Sequence, residues 1–111
     1  MERKVYISQL LDYYDKLLPE KQQICMSLYY NDDLSLGEIA ENLCMTRQGV
    51  RDYLKRGELM LESFEEELGL FEKNKGLNDI IAELEKIALS ANDTSIREDI
   101  GVLLNKMKGM V

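Results

Sequence analysis

Two helix starts lie about a dozen residues apart in Ser35-Leu36-Gly37-Glu38-Ile39-Ala40-Glu41-Asn42-Leu43-Cys44-Met45-Thr46-Arg47-Gln48, and the interval leaves room only for a sharp corner between them. Ser35 followed three residues later by Glu38 is a capping box, in which hydroxyl and carboxylate each satisfy a backbone N–H left open at a helix start. A helix therefore begins at Leu36. Thr46 is placed to cap a second helix that opens with Arg47-Gln48, and only Asn42 to Met45 separate the two. This is the pattern of a helix-turn-helix. Leu36, Ile39, Ala40, Leu43, Met45, Val50 and Leu54 form its expected inward face.

Helical periodicity continues on both sides of the motif. Val5, Ile7, Leu10, Leu11, Tyr14 and Leu17 or Leu18 predict a first helix over 3–17, ended by Pro19, whose ring disfavours a helical residue before it. A second over 19–30 turns Ile24, Cys25, Leu28 and Tyr29 inward and stops at the turn-forming Asn31-Asp32-Asp33. The third is short, over 36–42. The fourth meets no strong stop before Gly69, since Tyr53, Leu54, Met60, Leu61, Phe64 and Leu68 extend its stripe. Gly57 lowers helix propensity by about 1 kcal/mol relative to Ala and is the expected site of a bend. Asn74-Lys75-Gly76 interrupts the pattern, after which Leu77, Ile80, Ile81, Leu84 and Ile87 define a fifth helix. Beyond the corner Asn92-Asp93-Thr94, Ser95 with Glu98 repeats the capping-box signature and launches a sixth, with Ile96, Ile100, Leu103, Leu104 and Met107 on one face.

The expected fold is all-α with six helices. A helix-turn-helix domain with an extended recognition helix occupies 1–70, and a C-terminal helical pair occupies 71–111. The stripes of that pair have three partners open to them: each other, the first helices, or a second copy of the chain, which would make a homodimer.

A chain of 111 residues, 45% of them hydrophobic, can bury a core without staples. Two cysteines and no histidine supply neither a disulfide framework nor a structural zinc site, so Cys25 and Cys44 are expected to be buried as small apolar residues. No apolar run approaches the roughly 18 residues that span a bilayer. The amino terminus is amphipathic, so the expectation is a cytoplasmic protein without membrane insertion. There is no glycine-rich phosphate loop, no nucleophile beside a base and no carboxylate pair in a suggested pocket, and the chain reads as a non-enzyme without cofactor or metal.

The charge complicates nucleic-acid binding. With 14 basic and 21 acidic side chains the net charge is −7, opposite in sign to what phosphate attraction favours. Residues 1–60 carry −2 and residues 61–111 carry −5, which assigns most of the acidity to the appendage. Within the motif, Arg47, Arg51 and Lys55 recur every four residues on one side of the fourth helix, with Gln48 and Asp52 alongside and Arg56 nearby. A recognition helix turns such a surface toward a groove, and its exposed start is where base contacts come from. Arg can make two hydrogen bonds to guanine and Gln two to adenine. Asp52 works against a simple phosphate-binding face, and ion pairs from Arg51 or Lys55 to Asp52 or Glu58 would make the same surface an ordinary solvated one. Tyr6, Tyr13, Tyr14, Tyr29, Tyr30 and Tyr53 could stack on unpaired RNA bases, but their helical spacing assigns most of them to the core. Glu62, Glu65, Glu66 and Glu67 read as the wet side of a helix, with contact to a basic protein as their functional alternative.

Leu18-Pro19-Glu20-Lys21-Gln22-Gln23, then Leu34-Ser35-Leu36-Gly37-Glu38-Ile39-Ala40 and Thr46-Arg47-Gln48, resemble the fourth conserved region of bacterial sigma factors, a promoter-reading helix-turn-helix. The continuation through Val50-Arg51-Asp52-Tyr53-Leu54-Lys55-Arg56 into Leu59-Met60-Leu61-Glu62, Glu65-Glu66-Glu67-Leu68-Gly69-Leu70 and two further helices is similar to the small bacterial YlxM family over essentially the full length. That resemblance implies an all-helical protein linked to the signal recognition particle, whose partners would be DNA or the particle's RNA, or else the targeting GTPase. Its groove-facing positions fall on Thr46, Arg47, Gln48, Arg51, Asp52 and Lys55. A sigma-type turn commonly has Gly where this chain has Cys44, because Gly takes positive backbone angles freely.

Overall fold

The computed structural model describes residues 1–111 as six α-helices and one short 3₁₀ turn, without strands. They are α1 (Arg3–Tyr14), the 3₁₀ turn (Asp15–Leu17), α2 (Glu20–Tyr30), α3 (Leu36–Leu43), α4 (Arg47–Leu68), α5 (Leu70–Ser90) and α6 (Thr94–Lys108). The chain divides into two compact units, Met1–Phe71 and Glu72–Val111, with the boundary in the first turn of α5.

In the first unit α4 is the central element, packed by α1, α2 and α3. Its core joins Ile7, Leu10, Leu11 and Tyr14 of α1 to Cys25 and Met26 of α2, Ile39 and Ala40 of α3, and Val50, Leu54 and Leu61 of α4. The first helix closes three residues earlier than its periodicity suggests, tightening into the 3₁₀ turn before Leu18 adopts the extended conformation that Pro19 demands. Leu18 is buried and Leu17 exposed.

On α2 the inward face is rotated from the expected one. Ile24 is exposed, whereas Met26 and the polar Gln22 are buried. The reason lies across the interface at Gly57. A Cβ built there would stand 2.6 Å from Met26 Sδ and 2.9 Å from Gln22 Nε2, so only glycine lets α2 approach α4 this closely. Gln22 uses that proximity to donate from Nε2 to the Tyr53 carbonyl, which satisfies its buried amide. Gly57 lies inside a continuous α4, as a site of close approach where the propensity argument put a bend.

Gly69 ends α4 in the left-handed conformation at φ 62°, and α5 starts at the next residue. With no room for a conventional cap, the fold borrows one. Tyr14 Oη accepts the Leu70 N–H at 3.1 Å while donating to Glu65 Oε1 at 2.6 Å, and the same carboxylate oxygen accepts the Phe71 N–H at 3.0 Å. Glu65 is thereby half-buried and structural rather than part of a wet acidic face. Phe71 packs edge-on against Tyr6 and Tyr13, with ring centroids 5.4 and 6.2 Å away.

The second unit contains the rest of α5 and α6, around a small core of Ile81, Ala88 and Leu104, with Leu84, Ile100 and Met107 half-buried against it. Two expectations for this region are corrected. Asn74-Lys75-Gly76 does not interrupt a helix but lies within α5, because one glycine's propensity penalty is small beside the cooperativity of a helix of 21 residues. The cap of α6 is Asp93 rather than Ser95: its Oδ1 accepts the N–H groups of Ser95 at 2.9 Å and Ile96 at 3.3 Å, starting the helix at Thr94. Lys108, in the last turn of α6, pairs with Glu85 of α5. No helix is long and apolar enough to cross a membrane.

Candidate nucleic-acid interface

The corner between α3 and α4 is fixed by backbone chemistry at both ends. Glu38 N–H donates to Ser35 Oγ at 3.2 Å and Ser35 N–H to Glu38 Oε1 at 3.1 Å, completing the capping box. After its eight residues α3 closes on Cys44, at φ 52° and ψ 48°. The N–H of Cys44 reaches the Glu41 carbonyl at 3.4 Å and that of Met45 the Ala40 carbonyl at 2.9 Å, the paired bonds of a Schellman turn. A residue with a Cβ in this region carries strain of about 1–2 kcal/mol. Cys44 is exposed, not buried like Cys25, since the left-handed turn points it away from the core. Thr46 Oγ1 then accepts the Gly49 N–H at 3.0 Å and opens α4.

Thr46, Arg47, Gln48, Arg51, Asp52 and Lys55 are all exposed. Arg47 lies along α3, where the missing side chain of Gly37 makes room; a Cβ there would be 3.2 Å from Arg47 Nε. Together with Ser35, Leu36, Gln48 and Arg51, these two residues line a shallow open depression across the corner. Arg51 and Lys55 are not engaged in ion pairs with Asp52 or Glu58. Asp52 instead accepts from Gln48 Nε2 at 3.0 Å, and Glu58 serves Arg3 at 3.6 Å and the Tyr30 hydroxyl at 2.6 Å. The Arg51 guanidinium and the Lys55 ammonium therefore face solvent with their donors available. The Gln48 amide is held in reserve by Asp52, and reading a base with it requires that bond to open.

Two further cations lie over the Tyr53 ring, on another side of α4 from the Arg47, Arg51 and Lys55 row. Arg56 Cζ lies 4.7 Å and Lys21 Nζ 5.6 Å from the Tyr53 ring centroid, so α2 contributes a charge that linear spacing along α4 could not place. One signal for Lys21 was present in the sequence: a cation in the first turn of a helix opposes the helix dipole and calls for another partner. The tyrosines are mainly structural. Tyr14 is buried, Tyr6, Tyr29, Tyr30 and Tyr53 are half-buried, and Tyr13 lies at the edge of exposure. Burial, aided by the Glu65 and Glu58 carboxylates, pushes the Tyr14 and Tyr30 hydroxyls above their ordinary 10.0.

The charge is distributed differently from the expectation. The first unit holds 8 basic and 14 acidic side chains and the second 6 and 7, giving −6 and −1. Glu62 to Glu67 belong to the far half of α4, within the first unit, so one helix carries a cationic start and an acidic end.

A capped corner between a short helix and a long one with a basic, exposed opening turn matches what comparison with known proteins finds. The family model of the YlxM / p13-like helix-turn-helix proteins, UPF0122, matches residues 1–100. The chain belongs to the UPF0122 family. Relatives include UPF0122 proteins of Bacillus cereus (strain AH187), Bacillus anthracis (strain A0248) and Bacillus thuringiensis subsp. konkukian (strain 97-27). Each is 46% identical over 87 residues, covering 78% of this chain and 79% of the relative. Membership in UPF0122 fits a binding protein built on a helix-turn-helix.

Proposed function

We propose that this chain is a cytoplasmic nucleic-acid-binding regulator or accessory factor of the signal recognition particle pathway, acting on DNA or structured RNA through the opening turns of α4. The observation that supports this most is the exposed row Arg47, Arg51 and Lys55, not paired with the neighbouring carboxylates and aimed by a doubly capped corner. Thr46 adds a hydroxyl proton for a phosphate and Gln48 a base contact gated by Asp52. The acidic remainder of the unit limits affinity and keeps binding sensitive to salt. The resemblance to the YlxM family supplies the link to the targeting particle.

The test is a salt titration of binding to genomic DNA fragments and to the particle's RNA. Arg51→Glu is expected to lower affinity at least tenfold and flatten the salt slope. Unchanged affinity and slope would remove the recognition face from α4. A second reading draws on the exposed Glu66 and Glu67 at the acidic end of α4: a helical adaptor that meets a basic surface on the targeting GTPase without nucleic acid. A complex with that GTPase that survives nuclease and Arg51→Glu favours the adaptor.

A further inference from the structure

The second unit leaves most of its apolar surface unused. On α5, Leu77, Ile80, Leu84 and Ile87 recur at alternating intervals of three and four, as do Ile96, Ile100, Leu103 and Met107 on α6. That spacing makes one continuous seam along each helix. The contact within the unit centres on a neighbouring stripe, Ile81, Ala88 and Leu104, and takes in only the near edge of the seams, with Leu84, Ile100 and Met107 half-buried against it. The outer edge of each seam stays open: Leu77, Ile80 and Ile87 on α5 and Ile96 and Leu103 on α6 are exposed, Ile80 to 58%, Ile87 to 61% and Leu103 to 59%. On each helix the seam lies beside the buried stripe, turned away from the Glu85–Lys108 pair, so the two seams adjoin as one apolar face.

We infer that this face docks on the same face of a second copy of the chain, closing a four-helix arrangement from two α5–α6 hairpins. Three observations select that occupant. The unit spans about 40 residues, the size at which a core without disulfide or metal usually needs a further partner. Taking roughly 60–120 Å² of apolar area per large aliphatic side chain, the seams offer on the order of 300–400 Å² per copy. That matches the apolar share of a small stable interface, about 600 Å² per partner. Finally, the chain is strongly acidic, yet this unit carries only −1, so two copies can meet here without the repulsion that the −6 of the first unit would bring. A self-complementary apolar face is also what a two-fold dimer requires. The inference stands independently of what the helix-turn-helix binds.

Sedimentation equilibrium of the full chain between 1 and about 100 μM tests it, the upper limit corresponding to a modest affinity. The wild type is expected to show twice the chain mass. Ile80→Glu with Leu103→Glu, both exposed in the single chain, should weaken self-association at least about 100-fold, because each places a charge in a closed apolar seam. Helicity should be kept. Leu59→Glu with Leu68→Glu, on exposed sites of α4, should leave the dimer intact. A monomer throughout the range overturns the proposal. So does a dimer that ignores Ile80→Glu/Leu103→Glu and dissociates with Leu59→Glu/Leu68→Glu.

Discussion

The two units are built from the same material with opposite success in burial. In the first, three helices pack around α4, and a dozen side chains lose nearly all contact with water. In the second, two helices share one line of contact and bury three residues, while large aliphatic side chains of similar chemistry stay open. Apolar content alone does not make a core. A side chain needs neighbours on several sides, and a helical pair supplies them on one.

The largest effect should come from the heart of the first unit. Leu61→Ala removes a fully buried side chain of the central helix, and should cost about 3–4 kcal/mol in urea unfolding. Leu104→Ala, the corresponding lesion in the second unit, should cost less than half as much when measured below the dimer range. Equal losses would contradict the contrast drawn between the units. At the start of α5, Glu65→Ala leaves the Tyr14 hydroxyl and the Phe71 N–H without their acceptor and should cost about 2 kcal/mol. Glu65→Gln, which keeps an acceptor, should recover part of it.

Alkaline unfolding probes the first unit selectively. Tyr14 and Tyr30 have folded-state pKa values above the unfolded 10.0, so their contribution is fully present below pH 10 and is lost as pH rises beyond it. Each should remove up to about 1.4 kcal/mol per pH unit above that point. Tyr30→Phe should flatten the dependence, and an unchanged slope would show that the hydroxyl is not held neutral by its burial. A smaller loss, about 1 kcal/mol net, is expected for Gly57→Ala, where the gain in helix propensity is outweighed by collision with fully buried Met26. Smallest and opposite in sign, Cys44→Gly should stabilise by about 0.5–1 kcal/mol by relieving the left-handed turn.

The candidate surface was legible in the sequence because its logic is local. Four-residue spacing puts Arg47, Arg51 and Lys55 on one side of any helix, and a cap at Thr46 says where that helix begins. What spacing could not convey is how the charges are spent. Asp52 binds Gln48 rather than Arg51, Glu58 is taken by Arg3 and Tyr30, and the Tyr53 ring takes Arg56 and, from another helix, Lys21. Each depends on a contact between elements or a choice among rotamers.

The all-α class, the capping box of Ser35 with Glu38, the Thr46 cap, the stop at Pro19 and the long reach of α4 follow from residues within one helical turn of each other, where sequence distance is spatial distance. The burial of Gln22, the necessity of glycine at position 57, and the borrowed cap of Glu65 and Tyr14 on α5 do not. Those were decided when helices far apart in sequence came within atomic reach, because there a group's free energy depends on which neighbour replaces the water it has lost.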